Sequence, residues 1–213
     1  MPIPPFAEQA ASACPPLDQL ALALAAEACG QADEQALEAL DELARAAMPP
    51  AGLTPHGQAY ALAEATAGLR VAPRGRGVAA FALDAVLRRG SGHPALLAVV
   101  QAEVARRAGL AFGIGGHGGR LFVVHRRSPA APVVLDPAAQ GLVAPEDLPD
   151  TLSWRCSHQV AFCVLGAAAR EATRCGDLAT AAHLLGLRLA LPVDAPTRHA
   201  LEREVRALHA RCN

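Results

Sequence analysis

The stretch that most narrows what this chain can fold into is residues 90–136. It opens Gly90-Ser91-Gly92-His93-Pro94 and enters an apolar helical pattern from Ala95 to Ala108. Leu96, Leu97, Val99, Val100, Val104 and Ala105 leave almost no polar side until Glu103 and Arg106-Arg107, which predicts a helix buried on most sides. Pro94 suits the first helical position, where its missing N–H is no loss, and His93 or Ser91 is the candidate cap. Gly109 suits the C-terminal cap. A glycine-rich turn, Gly113 to Gly119 with His117 inside it, follows. Leu121–His125 and Val133–Leu135 read as strands, the second running into Asp136-Pro137, and Leu110–Ile114 is a further strand candidate. Arg126–Pro129 links the last two strands as a hairpin-type loop.

A helix with no polar face needs cover, and the flanks supply it. Leu17–Ala28 and Asp33–Met48 read as an antiparallel helix pair, the second amphipathic and stopped at Pro49-Pro50. Its acidic face reads as a solvated surface. Gly57–Leu69 is a third helix and Phe81–Arg89 a short fourth. Between them, Pro73–Gly77 is a turn whose two arginines, Arg74 and Arg76, are candidates to grip an anion; a solvated loop is the plainer reading. Residues 137–151 form a long connection with one helical turn at Glu146–Leu148. Helices follow at 160–173, 178–191 and 197–210. The expected organisation is a flexible lead at 1–15, a helical part at 16–80, a core at 81–151 and a helical tail at 152–213.

Composition excludes several classes. With 213 residues and 52% hydrophobic side chains, the chain is long enough for a sizeable core, and 3% aromatics means a core of Ala, Leu and Val. A formal net charge of -1 argues against electrostatic binding to nucleic acid or to an anionic membrane. No apolar run reaches the roughly 18 residues of a membrane helix, and Met1–Phe6 lacks a signal-peptide layout, so a cytoplasmic protein is expected. The six cysteines show no CxxC pair or zinc spacing. No metal or cofactor is expected.

Four segments, in order, carry a resemblance over residues 81–210. They are Phe81–Arg89 followed by Gly92-His-Pro94; Val104–Leu110; Gly116-His117 with Leu121–Val124; and Val134-Leu-Asp-Pro137. Together they resemble the SirB1 family, whose core is a transglutaminase-like domain followed by tetratricopeptide-like helices. The cadence of Arg174–Ala182 and Leu187–Pro192 fits such a helical hairpin. The resemblance implies an α+β, papain-like domain: a small antiparallel sheet on a buried core helix, with helical segments at both ends. It also implies a cysteine at the start of that helix, a histidine on the next strand to activate it, and an aspartate to fix the histidine's tautomer.

His117 and Asp136 match the last two positions. The cysteine position falls on Pro94, which has no nucleophile, as is common in SirB1-type sequences. Two readings follow from that departure. In the first, the chain is a non-catalytic module that binds another protein, a peptide segment or a small anion. The ligand would enter a vestigial cleft at His93, Gly116 and His117, where the helix N-terminus offers free N–H groups. In the second, an amidohydrolase or acyltransferase uses Ser91 or a displaced cysteine such as Cys156 with His117 and Asp136. A His117–Asp136 hydrogen bond is expected in either. The sequence leaves the partner and the oligomeric state open.

Overall fold

The computed structural model describes residues 3–30, 32–48, 52–128 and 132–212. The expected helix stop at Pro49-Pro50, and Pro129 of the hairpin loop, lie outside them. In chain order the elements are α1 (Phe6–Ala10), α2 (Leu17–Cys29), α3 (Gln35–Ala47), α4 (Pro55–Ala65), β1 (Arg70–Val71), a 3₁₀ turn (Gly77–Phe81), α5 (Leu83–Arg89), β2 (Ser91–Gly92) and α6 (Pro94–Arg107). Then come β3 (Phe112–His117), β4 (Arg120–His125), β5 (Val134–Asp136), β6 (Gly141–Leu142), a 3₁₀ turn (Pro145–Asp147), β7 (Ser153–Trp154), α7 (Ser157–Arg174), α8 (Leu178–Leu189) and α9 (Ala195–Cys212).

The architecture is α+β. Helix α6 is the central rod, with ten of its residues buried, including the whole run Ala95–Val100. One side packs on β3 and β4, and the others on α2, α3 and α7. The sheet is antiparallel with strand order β6-β5-β4-β3-β7, and β1 and β2 form a separate parallel pair. One continuous core runs from Phe6 and Leu20 through Leu96 and Val123 to Leu165, Leu184 and Leu201. The N-terminal and C-terminal helices therefore share the core of α6. The segment expected to be a flexible lead contains α1, whose Phe6 has no exposed surface.

Both faces of the sheet are covered. Leu121, Val123 and Leu135 point to the main core, while Phe122, Val124 and Val134 form a smaller cluster on the outer face under Val143, Leu148 and Leu152. The long connection after β5 is thus a lid over the outer face.

The glycine-rich run expected as a turn is mostly strand. Only Gly118 and Gly119, with φ of 55° and 78°, make the turn. Within β3 the missing side chains make room for neighbours. A Cβ on Gly113 would lie 2.7 Å from Arg126, one on Gly115 would lie 2.9 Å from Val124, and one on Gly116 would run into Arg155.

Candidate functional site

The head of α6 is built by His93. Its Nδ1 accepts from the Ala95 amide at 3.1 Å, so this histidine, not Ser91, caps the helix. The His93 carbonyl accepts from the Leu96 and Leu97 amides at 2.9 and 3.0 Å, and Pro94 has no N–H. The helix start, expected to offer free donors, has already spent them on His93. Ser91 lies in β2, its backbone in register with Arg70.

The His93 ring stacks on Phe81, with centroids 4.4 Å apart. Burial, and secondarily the charge of Arg170, push its pKa down from 6.5 to about 4. A neutral imidazole whose Nδ1 accepts must carry its proton on Nε2. His93 lines a cavity of about 450 Å³ together with Pro94, the Val71–Arg74 segment, and Arg170 and Arg174 of α7.

This pKa has a measurable consequence. Because the folded value lies below the unfolded one, the stability it contributes is complete above about pH 6.5 and lost as pH falls towards 4. Charging a fully enclosed ring over that interval would cost roughly 3 kcal/mol; solvent at its exposed edge reduces this to about 2 kcal/mol. The charged groups that share its cavity are Arg170, Arg74 and Arg174, all cationic, and Glu171; of these Arg170 acts on the ring. His93→Asn keeps an acceptor for the cap and removes the titration. The wild type should lose about 2 kcal/mol more than this variant in urea melts between neutral pH and pH 4.

The other two positions of the implied triad lie elsewhere. His117 ends β3, exposed, in register with Arg120. Arg120 alternates with the core-facing Leu121, which places His117 on the outer face of the sheet, away from α6. Its Nδ1 donates to the Thr151 carbonyl at 2.8 Å. Asp136 is buried on the same outer face. One oxygen pairs with Arg120 and the other accepts from the Ala138 amide at 2.9 Å. Among the described residues no hydrogen bond joins His117 to Asp136, so the expected link is not formed. Arg120 takes the place beside both, and also lies 5.0 Å over the Phe122 ring. Gly116 faces the core side, where Arg155 fills the space above it.

The cysteines nearest to the candidate role are otherwise placed. Cys156 is exposed and caps α7 together with Gln159. Cys163 is half-buried, and burial raises its thiol pKa in spite of Arg155, Arg188 and Arg170, which keeps it protonated at neutral pH. Among the described residues no cysteine is hydrogen-bonded to a histidine, and no group of three or more His, Cys, Asp or Glu is placed to hold a metal ion. No helix among them is long and apolar enough to cross a membrane.

Sequence reasoning missed Arg120, Arg170 and His125. The first two have no local signature. His125 is a structural histidine: it is buried, edge-on to Phe112, with Nδ1 accepting from the Arg127 amide and Nε2 3.3 Å from Gln58 Oε1.

An α+β domain with a buried helix heading a cleft and an antiparallel sheet behind it defines the class. Residues 34–161, more than half of the chain, match the transglutaminase-like superfamily, and the chain belongs to it. The matched segment takes in α3 and α4 and ends within the first turn of α7. Neither a curated protein nor a solved structure matches the chain.

Proposed function

We propose that this chain is a SirB1-type, non-catalytic member of the superfamily, working in the cytoplasm by binding a partner protein, a peptide segment or a small ligand. The binding place is the cavity at the head of α6, with the helical tail as one of its walls. The observation that carries this reading is Pro94 at the helix start, with His117 on the opposite face of the sheet. Acyl transfer of the cysteine type needs a thiolate at that start and an imidazole within hydrogen-bond reach. A proline offers no nucleophile, and the imidazole that is present, His93, has its Nδ1 committed to the cap. Asp136, held by Arg120 and the Ala138 amide, is not available to orient His117.

The test is turnover. Ammonia release and amine incorporation are followed with a glutamine-containing peptide and a fluorescent amine. The wild type and His117→Ala are expected to be equal and at background. Pro94→Cys is expected to remain there too, because a thiol at that position would have no base. Turnover that disappears in His117→Ala or Ser91→Ala would overturn the reading.

A further inference from the structure

We infer that the cavity at the head of α6 is a site for small organic anions, with an oxyanion head, carboxylate or phosphate, on a short apolar body. This rests on the binding reading above and names the ligand class of that site. Three arginines, Arg74, Arg170 and Arg174, line the cavity against a single carboxylate, Glu171. Glu171 is already engaged: Oε1 accepts from the Gly75 amide at 2.9 Å and Oε2 pairs with Arg174. Among the described residues neither Arg74 nor Arg170 has a carboxylate within ion-pair distance.

The positive field extends behind the cavity. Gly166 lets two guanidiniums close on one spot of α7, since a Cβ there would lie 3.2 Å from Arg188 Cζ and 3.5 Å from Arg170 Nη1. The charge of Arg170 acts unfavourably on Arg188 and on a protonated His93 alike. Glu204 acts favourably on Arg188. Arg188 lies 3.8 Å over the Phe162 ring, and its buried Nε has no hydrogen-bond partner.

In a chain whose formal net charge is -1, convergent like charges are a local cost. An incoming anion offsets that cost, and guanidiniums bind carboxylate and phosphate in paired hydrogen bonds. His93 adds a neutral donor, Nε2–H, which suits an oxyanion and holds its proton at neutral pH. The remaining lining, chiefly Val71, Ala72 and Pro73, is apolar and fits a short hydrocarbon body. The volume, about 450 Å³, is that of a small-molecule pocket.

The experiment is calorimetric titration of the full chain at low ionic strength with butyrate, butyl phosphate, inorganic phosphate and butylamine. One or both alkyl anions should bind saturably at one site, more tightly than inorganic phosphate, with no saturable binding of butylamine. Whichever alkyl anion binds more tightly identifies the head group. Arg74→Ala/Arg170→Ala should weaken binding by about tenfold or more. Both side chains are exposed, so this variant should melt like the wild type, and Arg45→Ala on α3 should leave binding unchanged. The inference fails if neither alkyl anion gives saturable heat, if the double variant binds as well as the wild type, or if butylamine competes equally. Such a failure is distinct from failure of the non-catalytic reading, which falls only to His117- or Ser91-dependent turnover.

Discussion

Phe81→Ala is expected to lower unfolding stability by about 3–5 kcal/mol, the usual cost of emptying a fully enclosed aromatic position. Phe81 has no exposed surface and belongs to the continuous core, so truncating it opens a cavity there. The same substitution acts on the cavity. His93 is held neutral mainly by burial, and the ring stacked on it is part of that burial. Removing the ring admits water to the imidazole, and its pKa should climb back towards 6.5. Urea melts measure the first effect and an NMR titration of the His93 ring the second. A stability loss below about 1 kcal/mol, or an unmoved imidazole, would mean that Phe81 does not pack against His93 as described above.

Asp18→Ala should cost about 2–3 kcal/mol, because it breaks a partly buried charge network at the other end of α6. The Asp18 carboxylate, 4% exposed, receives Arg106 at 3.3 Å and Arg107 at 2.7 Å. Arg107 also reaches Asp41 of α3, and Arg106 reaches the buried Glu103 at 2.8 Å, so three helices meet in one cluster. Those remaining partners keep the loss below that of an orphaned buried charge. Asp18→Asn retains the acceptor for the Gln19 amide and should lose less. Denaturant melts in low and high salt provide the check. The loss should persist in high salt, since enclosed pairs are screened far less than surface ones; a loss that salt removes would place the pair at the surface.

What the sequence revealed and what it hid divide along the range of the forces involved. Helix α6 was legible because its signals are local: Pro94 at the start, Gly109 past the end, and apolar residues on nearly every side between. Strands β4 and β5 were legible for the same reason. Strand β3 was legible only at its start, within the Leu110–Ile114 candidate, and its glycine-rich second half was not, because the rarity of glycine in strands reflects missing side-chain packing. Here Arg126, Val124 and Arg155 supply that packing from other elements. The order histidine, then aspartate, was also legible, but the sequence placed them on adjacent strands, whereas β4 lies between His117 on β3 and Asp136 on β5, and the side of the sheet they face was not legible. Sidedness depends on register, and a register set by the Gly118-Gly119 turn places His117 opposite Arg120 and next to Thr151. The arginine cavity was half legible. Arg74 stood out as a possible anion ligand, but Arg170 looked like any solvent-facing helical residue until folding placed it across from His93.

That cavity joins two parts of the chain that are remote in sequence. Its near wall is the Val71–Arg74 segment, and its far wall is α7, the first helix of the tail. The two walls are held together by the core that α7 shares with α6, so the cavity forms only in the fully folded chain. An occupant of this cavity would therefore raise the unfolding stability of the sheet domain and of α7 together, because both walls rest on one core.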